Sequence, residues 1–167
     1  MLNEPRRNDD SETLIKFMVN LRPIQSGGWP PVDAEWLWGA LLSKLGVEVR
    51  SSPFYAFGFS CEDIVAVRVV QDGDDEWYEY ERVLEHRGHS TYRLFVFDGA
   101  TSESFLTLWK KLADLGCTYE GADEKLIAVD IPPGVDIKYV YTIMKEGESL
   151  KIWDFEECYY FAPPSLP

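Results

Sequence analysis

Positive charge is scarce in this chain. Its 167 residues carry 16 Lys and Arg against 29 Asp and Glu, a formal net charge of −13. That deficit argues against binding to nucleic acid or to anionic membrane surfaces, both of which would repel it. Histidine is nearly absent, with His86 and His89 alone. Cysteine is limited to Cys61, Cys117 and Cys158, an odd number without a CxxC spacing. Neither a disulfide framework nor a zinc site is therefore indicated, and the three read as reduced, mostly buried thiols of a cytoplasmic protein. No apolar stretch approaches the ~20 residues that a membrane span requires. The opening MLNEPRRNDDSE has no hydrophobic signal segment, so the whole chain is expected to be the mature protein. Internal repeats and low-complexity segments are lacking as well.

What remains is enough for a packed core. Apolar residues make up 46% and aromatics 14%, which favours a folded chain over a disordered one. The length suits one domain, or two small ones sharing a core.

Along the chain, residues 1–11 read as a polar arm, 12–88 as a β-rich part compatible with a small barrel, and 89–167 as an α+β part. Alternation predicts a strand over Thr13–Leu21, followed by a Gly/Pro loop over Ser26–Pro31. Asp33–Leu45 fits a helix poorly, because its apolar residues do not gather on one stripe. Strands over Glu35–Leu42 and Val47–Tyr55, around a turn at Lys44–Gly46, fit better. Ile64–Gln71 and Glu76–His86 form a hairpin around Asp72-Gly73-Asp74. Tyr92–Asp98 is a strand covered on both faces. Thr101 or Ser102 caps a helix with Phe105, Leu108, Trp109, Leu112 and Leu115 on one face, ended by Gly116. Leu126–Ile131 is a strand closed by Pro132-Pro133. Asp136 caps a second helix with Ile137, Val140, Tyr141 and Met144 on one face and Gly147 at its end. Lys151–Phe161 supplies the last strand. From Tyr92 onward the order is β-α-β(β)-α-β, a ferredoxin-like, split βαβ arrangement with two helices on one face of an antiparallel sheet.

Several short motifs occur in a telling order: Glu35-x-Leu37-Trp38, Pro53-Phe54-x-Ala56, Asp63-x-Val65, Gly88-His89-Ser90-Thr91-x-Arg93, Ile131-Pro132-Pro133 and Trp153-Asp154-Phe155-Glu156-Glu157. On these the chain resembles, from Glu35 to Glu157, a bacterial family known only as domain of unknown function 4265. The resemblance implies a β-rich half followed by a ferredoxin-like half, and it favours the strand over Glu35–Leu42. It implies no activity and brings no catalytic residues with it.

The chemistry-bearing residues are few. His86 and His89 offer an i, i+3 pair, but Gly88 between them marks a turn and no third ligand accompanies them. A hydrogen-bonded junction between the halves is the expected role. A Cys61–His89–Asp63 trio lacks any local nucleophile signature, and Glu62 and Asp63 would raise the thiol pKa rather than lower it. Ser26-Gly27-Gly28 lacks the Lys and following helix of a phosphate loop. No cofactor or metal is indicated, and nothing specifies an oligomeric state.

The outstanding feature is acidic and aromatic together. Asp72, Asp74, Asp75, Glu76, Glu79 and Glu81 fall within ten residues without a Lys or Arg, and Trp77, Tyr78 and Tyr80 stand among them. Asp154, Glu156 and Glu157 repeat the mixture beside Trp153, Phe155, Tyr159 and Tyr160. One reading is a solvated hairpin that simply keeps the protein soluble. The other is a surface for a basic partner, in which rings supply contact area and carboxylates supply long-range attraction. On strand alternation both faces of Glu76–Glu81 mix rings with acids, unlike a strand with one buried face. The expectation is a noncatalytic acidic binding protein, an immunity protein that neutralises a basic toxin domain. The alternative expectation is a small-ligand sensor or regulatory module built on the ferredoxin-like half, which rests on fold analogy.

Overall fold

The computed structural model describes residues 12–21 and 28–162. The expected arm over 1–11 and the first part of the Ser26–Pro31 loop lie outside the described residues. The elements are β1 (Leu14–Asn20), β2 (Ala34–Leu41), β3 (Gly46–Val49), β4 (Ile64–Asp72), β5 (Asp75–Glu85), β6 (Ser90–Val96), α1 (Ser102–Ala113), β7 (Thr118–Gly121), β8 (Leu126–Ile131), α2 (Ile137–Ser149) and β9 (Trp153–Tyr159). The chain is α+β, as its pattern implied.

Strands β1–β5 form a closed barrel in sequence order. Each is antiparallel to the next, so an odd count leaves the first and last running the same way. The barrel therefore closes through a parallel pair, Phe17 opposite Tyr78 and Met18 opposite Glu79. Closing so small a ring needs curvature, which β5 supplies. Its register skips Glu81 and again Leu84 against β4, two bulges that bend the strand. The interior is filled by Phe17, Val19, Leu37, Val47, Val65, Val67 and Phe59.

The second half is a four-stranded antiparallel sheet in the order β7-β8-β6-β9, which is the ferredoxin-like order. Both helices cover one face, packing Leu108, Leu112, Val140, Ile143 and Met144 onto Tyr92, Leu94, Val129 and Trp153. The other face meets the segment that leaves the barrel after β3, where Phe54 packs on Leu126 and Ala128. α1 is capped by Thr101 in a reciprocal box with Ser104, and α2 by Asp136.

Three expectations need correction. The strand expected over Val47–Tyr55 stops at Val49. Pro53 has no N–H to give a ladder, and the N–H groups of Phe54, Tyr55 and Ala56 go to the Glu35 carboxylate instead. On α2 the buried face is Val140, Ile143, Met144 and Gly147, an i, i+3, i+4, i+7 stripe, while Tyr141 is exposed. Gly147 lies inside the helix rather than at its end. Its missing side chain makes room for Trp153, whose indole donates to Met144 O at 3.1 Å. The second strand that the β-α-β(β)-α-β order allows between the helices is present as β7, which precedes Leu126–Ile131 and pairs with it.

A Cβ on Gly147 would stand 2.1 Å from Trp153 Cε2. The fully buried Trp153 has nowhere to retreat. Gly147→Ala is expected to lower the unfolding free energy by about 1–3 kcal/mol in urea titration, although alanine is the better helix former. Unchanged or increased stability would contradict this packing.

Candidate functional site

Two constellations compete for a functional role. The first lies at the junction of barrel and sheet. Asp63, fully buried, accepts from Ser60 N at 2.9 Å and Arg87 N at 2.7 Å, and pairs with His86 Nδ1 at 2.9 Å. The His86 ring stacks on Tyr159 with centroids 4.4 Å apart, tying the end of β5 to the end of β9. His89 Nδ1 meets Asp130 Oδ1 at 2.9 Å, and its Nε2 lies 3.4 Å from Glu62 Oε2. Thr91 and Ser60 share a hydroxyl hydrogen bond of 2.7 Å.

Beside them, Glu35 on β2 accepts from Phe54 N (2.6 Å), Tyr55 N (3.0 Å) and Ala56 N (2.8 Å). Arg93 on β6, at 0% exposure, donates to Ala56 O and to Glu156 at 2.8 Å and stacks over Phe57. Burial pushes the Glu35 carboxyl above its usual range, only partly countered by the three N–H donors and Arg93. Burial opposes the charged form of His89, but the Asp130 hydrogen bond and carboxylate outweigh it, so the ring holds its proton more tightly than usual.

This arrangement occupies its own groups. The Cys61–His89–Asp63 trio is not assembled: His89 faces Asp130 and Glu62, Asp63 faces His86, and Cys61 Sγ donates to Val49 O at 3.8 Å. Burial raises the Cys117 thiol to about 12 and pushes Cys158 up as well, so both are poor nucleophiles at neutral pH. Among the described residues no group of three or more His, Cys, Asp or Glu is placed to hold a metal.

The second constellation is the β4–β5 hairpin. Gly73 takes φ +61° in a two-residue turn with Asp74, closed by Asp72 opposite Asp75. The first four residues of β4 are buried and none of the last five is, so the hairpin tip projects beyond the barrel. Asp72, Asp74, Asp75, Glu76 and Glu81 are exposed, and among the described residues no cation pairs with any of them. Glu79 is the exception, held by Arg68 at 2.7 Å.

The rings divide by face. Tyr78 and Tyr80 pack against the barrel core, Tyr80 stacking on Phe59 at 5.1 Å. Trp77 alternates to the outer face, opposite Val70. Beside it lies a groove of about 370 Å³ lined by Ile15, Lys16, Trp36, Val69, Glu76, Trp77 and Tyr78. Trp36 is 49% exposed there and Val69 48%. Trp36 escaped the sequence reading, although alternation with Glu35 and Leu37 places it on the barrel's outside.

The β9 acids are differently placed. Asp154 and Glu157 are exposed, Glu157 while accepting from the Tyr92 hydroxyl at 2.6 Å, and half-buried Glu156 is bound to Arg93. Burial and this carboxylate together push the Tyr92 hydroxyl pKa far up. Two of these three acids thus have side-chain partners within the fold.

Barrel, ferredoxin-like sandwich, hydrogen-bonded polar junction and projecting acidic hairpin together make a two-part α+β protein. Residues 35–155 match the family described as Domain of unknown function (DUF4265), and the chain belongs to that family. No curated protein matches it. A hypothetical protein from Neisseria gonorrhoeae, known from its crystal structure, shares the fold with a TM-score of 0.73 and 18% identity, over 90% of this chain and 98% of that one.

Two outcomes test the junction. Glu35→Ala strands three N–H donors, those of Phe54 and Ala56 in buried bonds, and a loss of about 3–5 kcal/mol of stability is expected in urea unfolding; a loss below about 1 kcal/mol would contradict it. Because the folded pKa of His89 is raised above its usual 6.5, its contribution is complete below that value and fades as pH rises through the folded pKa. His89→Gln should therefore destabilise more at about pH 5.5 than at about pH 9, and an equal effect at both would remove the ionic role.

Proposed function

We propose that this protein is a noncatalytic acidic binding protein, an immunity protein that neutralises a basic bacterial toxin domain in the cytoplasm by direct contact. One observation carries this: a hairpin whose tip projects past the barrel carries five exposed carboxylates that no cation of the described residues neutralises, next to a groove holding the exposed Trp36. Uncompensated charge on a projecting element sets up a field that steers a positively charged surface and raises the on-rate. Aromatic anchors at the base of the same element supply the short-range contact that holds the complex. A toxin that acts on nucleic acid carries a groove built for phosphates, and an acidic face fits that groove. In support of a noncatalytic role, the histidines and buried acids are already bound to one another at the junction.

A second reading, a small-ligand module, is favoured by a different feature. A cavity of about 600 Å³ opens between the start of α1 and the β6–β8 strands, with Phe97, Phe105, Leu106 and Tyr119 in its wall and the Asp98–Lys125 pair at its mouth. A ligand there should raise the melting temperature and be insensitive to salt.

The toxin reading is tested by co-expression with the product of the neighbouring gene. The native protein should retain a basic partner at about 0.1 M salt and release it at several-fold higher salt. The Asp74→Lys, Asp75→Lys, Glu76→Lys triple variant should retain none. Equal retention by both proteins would defeat the proposal.

A further inference from the structure

The barrel does not close along its whole length. β1 and β5 pair at only two positions, Phe17 with Tyr78 and Met18 with Glu79. Yet β1 continues its ladder with β2 out to Leu14, and β5 continues its ladder with β4 out to Asp75. Residues Leu14–Lys16 and Asp75–Trp77 therefore face each other across a seam in which, among the described residues, neither strand has a ladder partner. The 370 Å³ groove is this seam, since its wall takes consecutive residues from both strands. An open strand edge is a template for another strand.

Three further features describe what would fit. Trp77 lines the groove, and its buried Nε1 has no acceptor among the described residues, an orphan donor of the kind that calls for a partner. Trp36, Val69 and Ile15 give the groove apolar walls. Glu76 lines the groove, with exposed Asp74 and Asp75 next to it in the hairpin turn, whereas Lys16, the cation in the groove's wall, is turned over the Trp38 ring at 4.9 Å. Charge complementarity at the mouth thus calls for lysine or arginine, and the walls call for apolar side chains.

Building on the hairpin reading above, we propose that the β1–β5 seam is a docking site for an extended basic segment of the protein partner, which adds as a short strand along Asp75–Trp77. Its backbone amides and carbonyls engage the free edge of β5, and one carbonyl accepts from Trp77 Nε1. Apolar side chains enter the groove while alternate lysines or arginines meet the hairpin carboxylates.

The test uses the full chain and a short fluorescent peptide of alternating lysine and valine. A second peptide, identical in charge but N-methylated at alternate amides, cannot donate to a strand edge. Fluorescence anisotropy at about 0.1 M salt should show the first peptide binding at least about tenfold more tightly than the second. Trp77→Phe, which keeps an aromatic ring and removes the N–H, should weaken the first peptide several-fold and leave the second unchanged. Equal binding of both peptides, or no binding of either, overturns the docked strand. The hairpin reading fails separately, if the Asp74→Lys, Asp75→Lys, Glu76→Lys variant binds the first peptide as well as the native protein does.

Discussion

A buried carboxylate and a buried guanidinium join the two halves of this molecule. Glu35 reaches from the barrel to gather the N–H groups of Phe54, Tyr55 and Ala56. Ala56 returns its carbonyl to Arg93 of the sheet, and Arg93 passes on to Glu156 of β9. The segment between β3 and β4 has no ladder of its own there, so this relay is what satisfies its backbone. Each buried donor left without an acceptor costs about 1–3 kcal/mol, and an unpaired buried charge costs more. The relay therefore stands or falls as a unit. Asp63, taking up His86 and Arg87 at the far end of β5, fixes the hairpin strand to the same junction. One end of β5 is anchored in the middle of the protein while the other projects beyond it.

The distribution of charge follows from that interior. The chain has few cations, and the junction withdraws some of them from the surface. Arg93 is wholly buried with Glu156, and Arg50 lies buried between Glu12 and Glu48. Each neutralises acids that are themselves inside or partly covered. Glu79 apart, the hairpin carboxylates are left without such compensation among the described residues, and repulsion among them is tolerated because the tip is surrounded by water, where unit charges a few ångströms apart interact by only about 1 kcal/mol. At the distance of an approaching partner the same charges act together.

Much of this was legible in the residues. Long, strongly periodic segments declared themselves: both helices with their Thr101 and Asp136 caps, the β4–β5 hairpin with its turn, and the order of the ferredoxin-like half. What was not legible depends on contacts distant in sequence. Nothing local shows that Glu35 captures the amides of residues 54–56, so Val47–Tyr55 looked like one strand when it ends at Val49. Gly147 looked like a helix terminator because Trp153, which occupies its empty side, follows only after the next turn of chain. The mixture of rings and acids on both faces of β5 looked like a surface open on two sides. In the folded chain Tyr78 and Tyr80 turn into the barrel, leaving Trp77 with the groove. Bulges at Glu81 and Leu84 shift the alternation that a sequence pattern assumes to be regular.

Eight residues of the motifs that mark the family meet at one place. Glu35, Phe54, Ala56, Asp63, His89, Thr91, Arg93 and Glu156 all lie at the junction, far apart in the chain and bonded to one another or packed together in space. A substitution at any of them would strand a buried polar group or open a cavity, so each constrains the rest. The hairpin tip carries no such obligations. Beyond the barrel its backbone needs only the Gly73 turn and the ladder to β4, and exposed substitutions of this kind usually move stability by less than about 0.5 kcal/mol. Its side chains are therefore free to be chosen for what lies outside the molecule. A scaffold held rigid from within, bearing one element whose chemistry is nearly independent of folding, separates the two demands that recognition usually sets against each other. In the proposed role, the acidic tip can be matched to a partner without disturbing how the chain folds, whereas the groove beside it shares Ile15 and Tyr78 with the barrel core.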